Sequence, residues 1–262
     1  MNDRPIGVFD SGVGGTSIWK EIQKLLPSEN TIYLADSKNA PYGEKSQKEI
    51  LQLSIKNTEL LIEKGCKIIV VACNTATTNA IAYLREHYDV PFIGIEPAIK
   101  PAALLSESKT VGVLATKGTL SSSLFYSTSM NHANGIKILE QEGTGLVSLI
   151  ESGKINAMET LELLKKYVAP MLEEGMDHLV LGCTHYPYLI PTLRRILPAH
   201  VQIIDSGEAV ARQVRAILEK NTLLNTSTAT PEHQLYTNIN PEVLQNFTEG
   251  VAANLLVSRL DF

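Results

Sequence analysis

Short runs of β-branched and other apolar residues alternate with longer amphipathic stretches along the chain. The runs at 5–9 (PIGVF), 31–35 (TIYLA), 67–72 (KIIVVA), 91–95 (PFIGI), 110–115 (TVGVLA), 135–140 (GIKILE), 178–182 (HLVLG) and 201–205 (VQIID) predict strands. Most are apolar throughout, as strands covered on both faces are, rather than alternating. Two of the stretches between them predict helices. Residues 46–64 gather Ile50, Leu53, Ile55, Leu60 and Leu61 on one side, and 158–172 space Leu161, Leu164, Val168 and Leu172 by three or four. Pro170 is expected to kink or shorten the second helix. Strand–helix alternation of this kind predicts an α/β architecture with parallel sheets. The polar stretch 221–233 predicts a surface loop.

The pattern also repeats itself. IGVFDSGVGGT (6–16) resembles VGVLATKGT (111–119), and IIVVACNTA (68–76) resembles HLVLGCTHY (178–186), at similar offsets. Two pseudo-symmetric, doubly wound α/β halves are therefore expected. Each would place one cysteine at the carboxyl end of a parallel strand, where open α/β sheets bind ligands. Facing halves would set Cys73 and Cys183 on opposite sides of one cleft.

Bulk properties narrow the setting. The chain has 262 residues, 44% of them hydrophobic, and a mean hydropathy of +0.02, which fits one large or two small folded domains. No apolar stretch is long enough to span a bilayer, and the start MNDRPIGVF has no secretion-signal pattern. Three cysteines, odd in number and far apart, argue against a disulfide framework and suit a reducing cytoplasm. Net charge is −5, with Lys and Arg scattered, so neither a nucleic acid nor a membrane is an expected partner.

Cys66 reads as an ordinary buried thiol. Cys73 and Cys183 differ from it. Each ends an apolar run and is followed by hydrogen-bonding residues, Asn74-Thr75 and Thr184-His185, with a helix expected to start just beyond. A helix N-terminus favours a thiolate. No CxxC or HExxH accompanies Cys183-x-His185, so a metal site is not expected. A Cys–His nucleophile pair would leave the second thiol unexplained. FDSGVGGTSI (9–18) lacks the glycine of a dinucleotide fingerprint at Ser17 and the Gly-Lys-Ser/Thr of a P-loop. Ser11 is read there either as a helix cap or, with Asp10, as a ligand contact. Asp36 and Tyr42 read as a surface turn, Glu151 as an unremarkable carboxylate at a helix end, and the Asp-Ser-Gly at 205–207 as a strand-to-helix cap.

Taken in order, IGVFDSGVGG, LADSKNAPYG, ACNTAT, GIEPAIKPA and LGCTHYPYL resemble the aspartate/glutamate racemase family over nearly the whole chain. The resemblance implies a cofactor-independent racemase in which Cys73 and Cys183 are the acid–base pair. Cys73 would take the α-proton from the D-enantiomer and Cys183 from the L-enantiomer. Asp10 would assist Cys73, and His185 would assist Cys183. Asp10, Ser11, Tyr42, Gly43, Asn74, Thr75, Thr184 and His185 match positions that grip the substrate. Asp36, Glu151, Thr116 and Thr119 are supporting candidates. Aspartate-specific members carry a glutamate where this chain has His185, which favours L-/D-glutamate as substrate and a role in peptidoglycan supply. The family also forms homodimers, with no interface assigned here. Without an electron sink such as pyridoxal phosphate, the cleft must orient the substrate and exclude water, and inversion needs a thiolate on one face and a thiol on the other. The expected division is 1–97 plus 206–262 and 98–205, with the active site between. The alternatives are an aspartate or other amino-acid racemase, a Cys–His hydrolase and a non-catalytic amino-acid-binding protein.

Overall fold

The computed structural model describes residues 3–132 and 135–262. Among these residues the strands are β1 (Ile6–Asp10), β2 (Thr31–Ala35), β3 (Ile68–Val71), β4 (Phe92–Gly94), β5 (Thr110–Ala115), β6 (Lys137–Glu142), β7 (His178–Gly182), β8 (Gln202–Ile204), β9 (His233–Thr237) and β10 (Leu255–Arg259). The helices are α1 (Thr16–Leu25), α2 (Gln47–Glu63), α3 (Asn74–His87), α4 (Ile99–Leu105), α5 (Lys117–Leu120), α6 (Ser123–His132), α7 (Leu146–Glu151), α8 (Met158–Glu173), α9 (Ile190–Ile196), α10 (Gly207–Lys220) and α11 (Glu242–Thr248).

The strands form two sheets, ordered β10-β9-β2-β1-β3-β4 and β6-β5-β7-β8, and all their pairings are parallel. These are the cores of two α/β domains. If β5 to β8 are set against β1 to β4, the central order is the same in both sheets. The repeat seen in the sequence is therefore a repeat of topology. In each half the chain winds outward in both directions from the central pair, β1–β3 or β5–β7. The crevice at such a reversal is where α/β sheets bind ligands.

β1, β2, β3, β5 and β7 are buried at every residue, which explains their unbroken apolar runs. One apolar cluster runs from the first sheet to the second, joining Val8, Trp19 and Tyr33 to Leu114, Leu181 and Tyr186. α2 begins at Ser46, whose hydroxyl and Glu49 form a reciprocal capping box. Its inner face is Ile50, Ser54, Asn57, Thr58 and Leu61, while Leu53, Ile55 and Leu60 lie only partly covered beside it. α8 runs past Pro170 to Glu173 and buries Thr160, Leu164, Tyr167, Val168 and Met171. Pro170 does not shorten it.

Some expectations shift. Residues 221–232 are loop, but His233 already starts β9, which buries His233, Leu235 and Thr237 and leaves Gln234 and Tyr236 partly exposed. β9 and β10 extend the first sheet on the β2 side. No α-helix follows Cys183 directly: a 3-10 turn, Tyr186–Leu189, with Pro187 in it, comes first, and α9 then opens at Ile190 with Pro191 in its first turn.

Candidate active site

The site gathers at strand carboxyl ends. Asp10 closes β1 and Ser11 follows it. Asp36 follows β2, Cys73 lies two residues past β3, Thr116 follows β5, and Cys183 follows β7. Cys73 and Cys183 thus occupy matching places in the two sheets, each beside the central strand pair. Both are buried, at 4% and 7% exposure.

Around Cys73, Sγ lies 3.7 Å from Ser11 Oγ and 3.5 Å from the Ala76 amide, which donates to it at the start of α3. Burial pushes the Cys73 thiol well up, and the negative charge of Asp10 adds to the push; the Ala76 N–H and Ser11 pull weakly the other way. Cys73 therefore rests as a thiol. Asp10, fully buried, accepts from the amides of Gly15 at 2.8 Å and Gly12 at 3.3 Å through Oδ2, and from Thr184 Oγ1 at 3.3 Å through Oδ1. It caps the glycine turn before α1. Ser11 does not: its hydroxyl makes no cap bond and approaches Cys73 instead. Burial raises the Asp10 carboxyl, while nearby His185 and the Gly15 amide oppose the rise.

Around Cys183, Sγ lies 3.8 Å from His185 Nδ1. On the far side of the ring, Nε2 lies 2.6 Å from Glu151 Oε1. The Gly14 amide also points at Nε2, at 3.2 Å. The shorter contact to a carboxylate assigns the Nε2 proton to the Glu151 bond. Burial alone would lower the His185 pKa, but Cys183, Glu151 and Asp10 outweigh it and hold the imidazole well above its ordinary range. His185 is thus an imidazolium with Nδ1–H available to Cys183.

Glu151, unremarkable by its local sequence and a supporting candidate by the resemblance, joins the two domains: beyond His185, its Oε1 accepts from the Val13 amide at 2.7 Å and its Oε2 from Ser37 Oγ at 3.1 Å. This explains the glycines of residues 12–15. A Cβ at Gly12 would land on the Glu151 carboxylate, and one at Gly14 on the His185 ring. The space they leave is filled by side chains from the other domain. Ser17 Oγ adds a bond across the same seam, donating to the Thr184 carbonyl at 2.9 Å.

Opposite, three hydroxyls form a triangle. Thr75 Oγ1 lies 2.8 Å from Thr116 Oγ1 and 3.4 Å from Thr119 Oγ1, and the latter two are 3.0 Å apart. Gly43 packs its backbone against Thr116 and Gly118. The Tyr42 hydroxyl donates to Asp36 Oδ2 at 2.5 Å and accepts from Asn57 Nδ2 at 3.1 Å. That commitment leaves the Tyr42–Gly43 backbone as the loop's contribution to the cleft. Asp36 is fully buried and accepts from Asn39 and Asn238 through Oδ1. It holds the loop and is not an exposed turn residue. Asn74 is 2% exposed, yet neither its amide nitrogen nor its amide oxygen has a partner. A buried, unpaired donor and acceptor beside Cys73 is a ready grip for a polar ligand.

Sequence reading missed Ser37, Val13 and Asn238. Val13 contributes only a backbone amide, and Asn238 lies in a segment with no motif. At 205–207 the capping expectation holds through Asp205, which accepts from the Gly207 amide, while Ser206 bonds the Glu96 carbonyl. Cys66 is buried, and burial raises its thiol to about 12, as an inert thiol requires.

Two buried thiols stand on matching strand ends, one beside a carboxylate and one beside an imidazolium. Comparison with known proteins identifies the family. A family model described as Asp/Glu/Hydantoin racemase matches residues 6–214. The chain belongs to that family. This racemase is 50% identical over 230 residues to a glutamate racemase of Ectopseudomonas mendocina, covering 87% of this chain and 88% of that one. A solved structure of Escherichia coli glutamate racemase, in complex with L-glutamate and the activator UDP-MurNAc-ala, is 34% identical and superposes with a TM-score of 0.87, covering 98% of each chain. Another, from Francisella tularensis in complex with D-glutamate, is 29% identical with a TM-score of 0.85, covering 100% of this chain and 98% of that one. The racemase has no described helix long and apolar enough to cross a membrane.

Proposed function

We propose that this racemase interconverts L- and D-glutamate by a two-base, cofactor-independent mechanism in which Cys73 and Cys183 act on opposite faces of Cα. The observation that carries the reading is the pairing of the two cysteines at equivalent strand ends, with different charged neighbours. With L-glutamate bound, Cys183 as thiolate takes the α-proton, with the imidazolium of His185 beside it. The carbanion then takes a proton from the Cys73 thiol on the opposite face, leaving Cys73 as thiolate and D-glutamate as product. The reverse reaction runs from Cys73 to Cys183. Asp10 is placed to pair with the substrate ammonium, since a buried carboxylate facing an anionic substrate needs such a partner. Asn74, the hydroxyls of Ser11, Thr75 and Thr184, and the Gly43 backbone supply donors for the two carboxylates. Thr116 and Thr119 hold Thr75 in place.

Both thiols are closed off from solvent, so the lobes formed by 1–97 with 206–262 and by 98–205 must part to admit substrate. Closure then dries the site, strengthening the electrostatic contacts that replace an electron sink. The D-glutamate formed would supply peptidoglycan precursors in the cytoplasm.

The test is a side-by-side assay of pure protein with L-glutamate and L-aspartate, without added cofactor, read by chiral separation of the products. One methylene in a fitted pocket is worth about 10–200-fold in specificity, so glutamate should lead by at least tenfold. Equal or faster turnover of aspartate would overturn the substrate assignment. No turnover of either by folded protein would overturn the reaction.

A further inference from the structure

The first domain carries a second cavity, far from the cysteines. Its strands are parallel, so their amino ends lie opposite the catalytic ends. There, a cavity of about 310 Å³ is lined by Lys20, Gln23 and Lys24 of α1, by Pro27, by Thr230 and Pro231 before β9, by His233 at its start, and by Val251, Ala252 and Ala253 before β10.

Its polar lining is made for donating hydrogen bonds. Gln23 is 7% exposed, and its amide Nε2 has no partner. An orphaned buried donor of this kind is costly unless a ligand or water meets it. His233 is buried, and its Nδ1 lies 3.0 Å from Thr31 Oγ1, which already accepts from the Trp19 indole at 2.9 Å. The indole can only donate, so the Thr31 hydroxyl hydrogen is left for His233 Nδ1 and the ring proton sits on Nε2. Lys20 is half-buried and contributes to the wall, but its ammonium is turned to the Tyr188 ring, 4.9 Å from the ring centre. Lys24 has a carboxylate, Glu21, at 3.8 Å, but the pair is solvent-exposed and weak. No acidic side chain lines the cavity. The other wall is apolar: two prolines, a valine and two alanines.

We propose that this cavity is a binding site for a small anion, a carboxylate or phosphate, whose apolar remainder packs against Val251, Ala252 and Ala253. The anion would be gripped by Lys24, the Gln23 amide and His233 Nε2–H. The site is separate from the cleft that holds Cys73 and Cys183.

Calorimetric titration of the whole protein at low ionic strength with inorganic phosphate and, separately, with butyrate tests this. One arm reads a phosphate, the other a carboxylate with an apolar tail. At least one probe should bind saturably at one equivalent beyond any binding in the active site. Gln23→Leu and Lys24→Met should each weaken that event about tenfold or more, as loss of a charge-assisted bond does. Lys24 is exposed, so its variant should keep the wild-type unfolding temperature without anion and report binding alone. Failure of both probes to bind, or binding equally tight in the Lys24→Met protein, would overturn the proposal.

Discussion

Different charges stand beside the two thiols. Burial, joined by the negative charge of Asp10, opposes ionisation of Cys73, whereas the imidazolium of His185 lies 3.8 Å from Cys183 Sγ. Glu151 supports this by fixing the His185 proton and raising its pKa. A group whose folded pKa is raised keeps its proton to higher pH than it would unfolded, so the His185 charge survives above the ordinary imidazole range near ~6.5 and is lost only as pH rises further. Glu151→Gln removes one of the raising interactions. The inflection of kcat/KM linked to His185 should therefore move toward acid pH in that variant, and an unmoved profile would show that Glu151 does not tune the ring. Replacing Cys73 or Cys183 singly by serine should each lower racemisation by about 10²–10⁴-fold, the worth of a positioned acid or base. A steady-state assay in both directions reads it. The two cysteines were legible in the sequence because each ends an apolar run in a repeated pattern. The pairing of Glu151 with His185 was not, because nothing around a carboxylate at a helix end reveals that it will meet that histidine.

At the level of elements, the glycine turn before α1 and the loop at 36–43 do the positioning. Gly14→Ala would push a methyl into the His185 ring, and overpacking of this type costs about 1–3 kcal/mol. Racemisation should fall at least tenfold while the far-ultraviolet circular dichroism stays native. The loop hangs on Asp36, whose buried Oδ1 draws on Asn238 at 2.5 Å. Asn238→Leu leaves that oxygen short of a donor, at a cost of about 1–3 kcal/mol. Denaturant unfolding should show this loss, and KM should rise more than kcat falls if the loop grips substrate. Most strands were legible, since burial on both faces leaves an unbroken apolar run. β9 and β10 were not, because one face of each meets solvent and their polar residues blend into the preceding loops. Of the two readings open for Ser11, the helix cap does not hold, because Asp10 one residue earlier supplies the cap. The 3-10 turn that intervenes between Cys183 and α9 carries no pattern of its own that would set it apart from the helix expected there.

For the molecule as a whole, the repeat in the sequence is a repeat of strand order, and the two halves meet at their ligand-binding ends. Bonds from Glu151 to Val13, Ser17 to Thr184 and Thr75 to Thr116 tie the closed cleft from both sides. The central claim is that two different residues handle the proton on the two faces of Cα. The most direct measurement is the isotope content of both enantiomers early in the reaction of L-glutamate in D₂O. A two-base mechanism predicts D-glutamate that carries deuterium at Cα from the first turnovers, while the remaining L-glutamate still carries protium. Transfer of the original proton into D-glutamate, or deuterium appearing equally fast in the L-glutamate pool, would contradict it.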